Sequence, residues 1–291
     1  MDLPRRIGRY EIRARLASGA TAEVFLARAP GTPDVALKRL HPYLANDADA
    51  IAQLLGEARV AARLEHPSAV PVIDLGCEDG AWFVAFEHVT GSDLATILGR
   101  LAGRGELLPV PVAVALACDV AAAVGALHRL DGAGLVHGDV TPANVLLARD
   151  GSVRLTDLGA CAALARGAPG VFGTPGYVAP EQARGERTGP AADVFSLGAI
   201  LFELVTGRSA FPHEVLPGLA APQGGLPPDP CELRPGLPAE LSAAVRRALA
   251  ARARSRFPTA DAFATALRPF AGPEDAVRLR LSAIVGELCG G

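Results

Sequence analysis

The chain has 291 residues, half of them hydrophobic, with 28 basic against 31 acidic side chains and a formal net charge of -3. Such a chain can bury a sizeable core in one large domain or two lobes, which excludes a disordered polymer. The arginines are scattered along it, so it carries no basic footprint for nucleic acid.

The N-terminal MDLPRRIGRYEI lacks the apolar core of a signal peptide. No uninterrupted apolar run reaches the roughly 18 residues of a membrane helix. VPVAVALACDVAAAVGAL comes closest, but it contains Asp119 and is patterned as a buried helix. Five cysteines (Cys77, Cys118, Cys161, Cys231, Cys289) are odd in number and form no CxxC pair, so they read as buried thiols in a reducing cytosol. These features predict a cytoplasmic protein without a membrane or nucleic-acid partner.

From Tyr10 to about Val89 the pattern predicts strands: YEIRARLA, AEVFLARA, DVALKRL, then AVPVIDLG and AWFVAFEHV, separated by Gly, Pro and Asp turn signals. One helix, about Asp47 to Leu64, interrupts them with apolar residues at Ile51, Leu54, Leu55, Ala58, Ala61 and Ala62. After Gly91 the period becomes helical, over Ser92–Leu101 and about Pro109–Leu130. Short strands are predicted in LVHGDV, NVLLA and VRLTDLG, then a Gly/Pro-rich stretch to Pro180 and a helix in DVFSLGAILFELVTG. Phe211 to Pro238 reads as surface loop. Helices at about Pro238–Arg252, Thr259–Leu267 and Pro273–Leu288 complete the chain, which has no internal repeat.

DVALKRL holds Lys38, the single lysine beside 27 arginines. Arginine is a broad planar fork and replaces lysine badly where a compact ammonium must sit between a carboxylate and a phosphate. A chain that uses Arg everywhere else and keeps Lys38 is expected to need a compact ammonium at this position.

Downstream, HGDVTPANVLL (His137 to Leu147), TDLG (Thr156 to Gly159), GTPGYVAPE (Gly173 to Glu181) and DVFSLG (Asp193 to Gly198) follow in order. With LASGATAEVF (Leu16 to Phe25) and Lys38, this series resembles the eukaryotic-type protein kinase superfamily, in its bacterial Ser/Thr branch, over about Tyr10 to Leu267. The resemblance implies an α+β, two-lobed fold: a small lobe of antiparallel β-sheet plus one helix, and a mainly α-helical large lobe. It implies a kinase domain over 10–270, split into 10–89 and 90–270, with a helical tail over 271–291.

It also implies ATP and Mg²⁺ as cofactors and a protein substrate. Phosphoryl transfer needs charge on the nucleotide phosphates, metal between them and a nucleophile aimed in line. By resemblance Lys38 meets the α- and β-phosphates and pairs with Glu57, Asp139 is the catalytic aspartate, and Asn144 and Asp157 hold metal. Leu16, Ala17, Ser18 and Gly19 form the loop over the phosphates. Val24 and Ala36 roof the adenine, Leu146 floors it, the backbone of Glu87 to Val89 takes its hydrogen bonds, and Phe86 stands at the back. Glu181 and Arg256 match an ion pair bracing the large lobe, and Asp193 a carboxylate holding the catalytic loop.

The sequence departs from this pattern. Ala17 and Ala22 stand where the loop usually has glycine, leaving Gly19 alone, which predicts weakened nucleotide affinity. Thr141 occupies the catalytic-loop position where Ser/Thr kinases usually carry lysine, removing a transition-state cation. Gly138 replaces the arginine that grips a phosphorylated activation loop, and Leu158 to Glu181 offers only Thr174 and Tyr177 as hydroxyl acceptors. Control by activation-loop phosphate is therefore not expected, and a separate regulatory protein is the expected source of control.

Two other functions use the same residues. HGDVTPAN also resembles the loop of aminoglycoside and choline phosphotransferases, although GTPGYVAPE and DVFSLG belong to the peptide-binding side of protein kinases. A pseudokinase, acting as an ATP-binding or scaffold module, would also accommodate Ala17, Ala22 and Thr141.

Overall fold

The computed structural model describes residues 4–132, 134–158, 160–161, 173–211 and 227–289. Gly159 of TDLG, residues 162–172 of the Leu158–Glu181 loop and most of the Phe211–Pro238 loop (212–226) lie outside the described residues. The chain divides into two compact units, one of 1–65 with 69–90, the other of 66–68 with 91–291.

The first unit is an antiparallel sheet with one helix. Strands β1 (Arg6–Ile7), β2 (Tyr10–Ser18), β3 (Ala22–Arg28), β4 (Asp34–Leu40), β5 (Val72–Glu78) and β6 (Ala81–Glu87) lie in the order β1-β2-β3-β4-β6-β5. Alternation along them puts Tyr10, Phe25, Leu37, Phe83 and Ala85 on one buried face. β1 was not predicted, being only two residues long. β5 begins at Val72, three residues later than its sequence pattern, after Pro71, which has no N–H to give a ladder. The expectation that all five cysteines are buried fails at Cys77, which is exposed on this edge strand, and holds fully only for Cys161.

Helix α1 (Ala48–Arg63) starts at Asp47, whose carboxylate accepts from the backbone N–H groups of Asp49 and Ala50 at 3.0 and 2.9 Å. It buries Leu54, Glu57, Ala58 and Ala61 and packs on β4, β5 and β6. Its end falls just before His66-Pro67, as the sequence predicts.

The second unit is mainly helical. Strands β7 (Gly91–Asp93), β8 (Val145–Ala148) and β9 (Val153–Leu155) form a small antiparallel sheet. Helices α2 (Leu94–Gly103), α3 (Val110–Arg129), α4 (Pro180–Ala183), α5 (Pro190–Thr206), α6 (Pro230–Leu233), α7 (Ala239–Ala248), α8 (Ala260–Leu267) and α9 (Glu274–Cys289) surround an apolar core. The helix predicted from Ser92 begins instead at Leu94, because Asp93 caps it by accepting from the N–H of Thr96 at 2.8 Å.

α3 is long and apolar enough to cross a membrane by length and composition. Here it packs against α5 and α8, and most of its apolar residues are buried. α5 is apolar on every side, the pattern of a central core helix. It ends at Gly207, whose φ of 69° supplies the left-handed turn. α9 buries Val277, Leu281, Ile284, Val285 and Leu288 against its own unit. Gly151 permits that approach, since a Cβ there would lie 2.1 Å from the carbonyl oxygen of Arg278.

The segment LVHGDV is not a strand. Gly138 has φ 78°, incompatible with extended pairing, and the N–H groups of His137 and Gly138 donate to the Asp193 carboxylate at 2.8 and 2.9 Å. A side chain of α5 thus takes the donors that a neighbouring strand would have taken.

Candidate active site

In the first unit β4 is central, paired on both sides, so Lys38 faces Val24 across one ladder and Val84 across the other. The inward face of α1 presents Glu57, which is 3 % exposed. Lys38 Nζ donates to both carboxylate oxygens of Glu57, at 3.0 and 2.7 Å. Charge-assisted bonds of this kind fix a flexible ammonium in one place. Ala36 lies opposite Leu26 and Phe86 in the same ladders.

Leu16, Ala17, Ser18 and Gly19 run along the exposed end of β2 into the turn before β3, with an irregular register at Arg15/Ala17. Glu87 ends β6 opposite Val35 of β4, and its N–H donates to the carbonyl of Pro71 at 3.0 Å. Val89 follows outside any strand.

In the second unit, the loop from His137 to Asn144 is held from several sides. Asp193, fully buried, accepts from His137 N–H and Gly138 N–H and contacts His128 Nε2 at 2.7 Å. His137 Nδ1 accepts from the N–H of Asp139 at 3.3 Å, which leaves its Nε2–H to donate to the carbonyl of Thr156, also at 3.3 Å. Gln182 Nε2 donates to the carbonyl of Gly138 at 2.9 Å. The loop backbone is therefore fixed on either side of Asp139.

Asn144 Nδ2 donates to the backbone carbonyl of Asp139 at 2.9 Å and to its Oδ2 at 3.3 Å. Thr174 Oγ1 donates to Asp139 Oδ1 at 2.7 Å. The amide nitrogen of Asn144 is thus engaged, and its side-chain carbonyl is the hard oxygen left for a cation. Asp157 stands two residues beyond β9 at φ 64°, a left-handed conformation costly for any residue but glycine and accessible to Asp. Leu146 lies in β8 opposite Asp93 and Arg154.

A cavity of about 820 Å³ opens beside Asp139 and is lined by Thr141, Thr174, Tyr177, Glu203 and Arg208, with apolar residues of α2. Thr141 is 3 % exposed and brings no charge to this wall. The Tyr177 hydroxyl donates to Glu203. Burial first, and the Glu203 charge second, push its phenol far above the usual range, so it stays neutral. Glu181 and Arg256 form a buried bidentate pair at 2.6 and 2.8 Å, and Arg256 also donates to the carbonyls of Ala250 and Ala191.

The structure thus joins Lys38 with Glu57, Asp139 with Asn144, and Glu181 with Arg256, and sets Asp193 against the backbone of the His137 loop. Sequence reading missed His128, Gln182 and Glu203 as supports. Gln182 directly follows Glu181 in VAPEQ, but nothing local indicates that it reaches Gly138.

The model of the protein kinase domain matches residues 10–218 of the chain. The protein named tyrosine-protein kinase MasK of Myxococcus xanthus is 39% identical over 281 residues, covering 90% of this chain and 43% of that protein. The DNA damage-responsive serine/threonine-protein kinase RqkA of Deinococcus radiodurans is 37% identical over 260 residues, covering 86% of this chain and 37% of that protein. The chain therefore spans less than half the length of these curated relatives. The crystal structure of the Mycobacterium tuberculosis PknI kinase domain matches with a TM-score of 0.73 and 32% identity, covering 94% of this chain and 100% of that one. The chain belongs to the protein kinase family and has its two-lobed fold.

Proposed function

We propose that this chain is an ATP-dependent protein kinase that transfers the γ-phosphate of ATP to serine or threonine hydroxyls of proteins. One observation carries the reading: Asp139 is held by Asn144 and by a backbone tied to Asp193, with one carboxylate oxygen accepting from a hydroxyl, that of Thr174. A carboxylate so placed can orient an acceptor hydroxyl and take its proton. The oxygen–phosphorus bond to the acceptor forms as the bond to the β-phosphate bridging oxygen breaks, and ADP leaves.

Lys38, held by Glu57, is the cation for the α- and β-phosphates, and Leu16, Ala17, Ser18 and Gly19 form the loop over them. Val24, Ala36 and Leu146 are the apolar residues assigned to the adenine, with Glu87 and Val89 supplying backbone hydrogen bonds. Asn144 and Asp157 offer the hard oxygens that Mg²⁺ prefers, and the ion would neutralise phosphate charge. Thr141 leaves the site short of one cation, so turnover is slow compared with a site carrying lysine there. We place the reaction in the cytoplasm, where ATP and reduced thiols coexist, and assign control to a separate protein.

The test is purified protein with labelled ATP and Mg²⁺, offered a generic protein, an aminoglycoside or no acceptor, beside Lys38→Met and Asp139→Asn. Label on protein serine or threonine that both variants abolish supports the reading. ATP binding without transfer would make the chain a pseudokinase, and label on the aminoglycoside alone would make it a small-molecule kinase.

A further inference from the structure

The turn between β2 and β3 is tied down by two aromatic side chains from just beyond β4. His41 Nε2 lies 2.9 Å from the carbonyl oxygen of Gly19, and since a carbonyl only accepts, that nitrogen carries the proton. Tyr43 Oη donates to the next carbonyl, that of Ala20, at 2.8 Å. The two rings stack, with centroids 5.2 Å apart and planes 12° from parallel. The His41 backbone N–H donates to the carbonyl of Thr21 at 3.0 Å, and the Gly19 N–H to that of Ala22 at 2.8 Å.

Four successive carbonyls, from Gly19 to Ala22, therefore all have donors within the same unit. Among the described residues, the N–H groups of Ala20 and Thr21 donate to nothing. A turn whose carbonyls are engaged on one side and whose N–H groups are free is arranged to receive an anion. The His41 ring is itself set by the β3–β4 pair. Its Nδ1 lies 4.0 Å from Glu23, which is held by Arg39 at 2.7 Å and Arg15 at 3.4 Å.

We infer that His41 and Tyr43 are positioning residues that hold the Ser18–Thr21 turn in its phosphate-receiving conformation, so that its backbone N–H groups meet the phosphates of ATP. This rests on the kinase reading above and explains how a loop with Ala17 and Ala22 in place of glycine can still serve. Glycine loops fit their backbone to phosphate by conformational freedom, whereas this turn is fixed beforehand by side chains.

Tyr43 is 73 % exposed, so removing its hydroxyl leaves the fold untouched. The full chain is titrated with Mg-ATP by calorimetry and assayed for transfer, comparing wild type, Tyr43→Phe, His41→Ala and His41→Gln. Each removed bond is expected to raise Kd and KM for ATP about fivefold, with kcat within about twofold, as for one neutral hydrogen bond. His41→Gln, which keeps a donor, is expected to recover most of the affinity. ATP affinities of Tyr43→Phe and His41→Ala within twofold of wild type would overturn the inference. A wild type that binds no ATP would instead overturn the kinase reading on which it rests.

Discussion

Thr174 Oγ1 donates a 2.7 Å hydrogen bond to Asp139 Oδ1, joining the GTPGY segment to the HGD segment across 35 residues of sequence. The hydroxyl holds the carboxylate in one rotamer and shares the oxygen opposite the one that faces Asn144. Thr174→Val keeps the shape and removes the donor. It is expected to lower kcat by about tenfold and leave KM for ATP within twofold, the pattern of a bond that acts on the chemical step.

The Lys38–Glu57 pair predicts a different outcome for its own variants. Lys38→Arg keeps a cation that Glu57 can bind, so thermal stability should hold within a few degrees. The wider guanidinium cannot occupy the place of a compact ammonium, and kcat/KM is expected to fall by at least about tenfold. Steady-state kinetics beside a melting curve separates the two effects, and full activity in Lys38→Arg would refute the geometric argument for this lysine.

Arg256 and Glu181 form a buried ion pair, so stability rather than activity is the first readout. Arg256→Ala leaves the Glu181 charge buried without its partner, which typically costs about 3 to 5 kcal/mol. Urea unfolding should show that loss, and Arg256→Met with Glu181→Gln together should cost less than the single alanine change. Equal losses in the two proteins would mean that the pair is not coupled.

Two thiols set an alkaline limit. Burial first, then the charge of Asp193, pushes the Cys161 thiol up to about 12, and burial first, then Asp119, pushes Cys118 up to about 11. In the unfolded chain both ionise near 9.0, so the unfolded state loses protons first as pH rises. Their contribution is complete below about pH 9 and declines above it. Tm measured from pH 7 to 10.5 should fall at the upper end, with a shallower slope in Cys161→Ala. Exposed Cys77 should be the fast-reacting thiol at pH 8, and Cys77→Ser should remove that phase.

Much of this arrangement is legible in short stretches of sequence. DVALKRL forms β4 with the boundaries its pattern gives, and the helical spacing from Ile51 to Ala62 forms α1. Those elements are decided by local alternation and period, which one chain displays directly. LVHGDV misled because its apolar residues suit a strand, while the donors that decide its conformation go to Asp193, more than fifty residues away. Gln182 on the carbonyl of Gly138, and His41 with Tyr43 on the β2–β3 turn, were invisible for the same reason. Each is a side chain meeting a backbone group far along the chain, and no periodicity records such a meeting.

In the proposed kinase, Asp139 acts in phosphoryl transfer and not in holding the nucleotide. This role is tested most directly by measuring ATP affinity and single-turnover transfer to protein in Asp139→Asn. An affinity within about twofold of wild type is expected, with a transfer rate lower by about a hundredfold or more. Transfer at the wild-type rate in that variant would contradict this role.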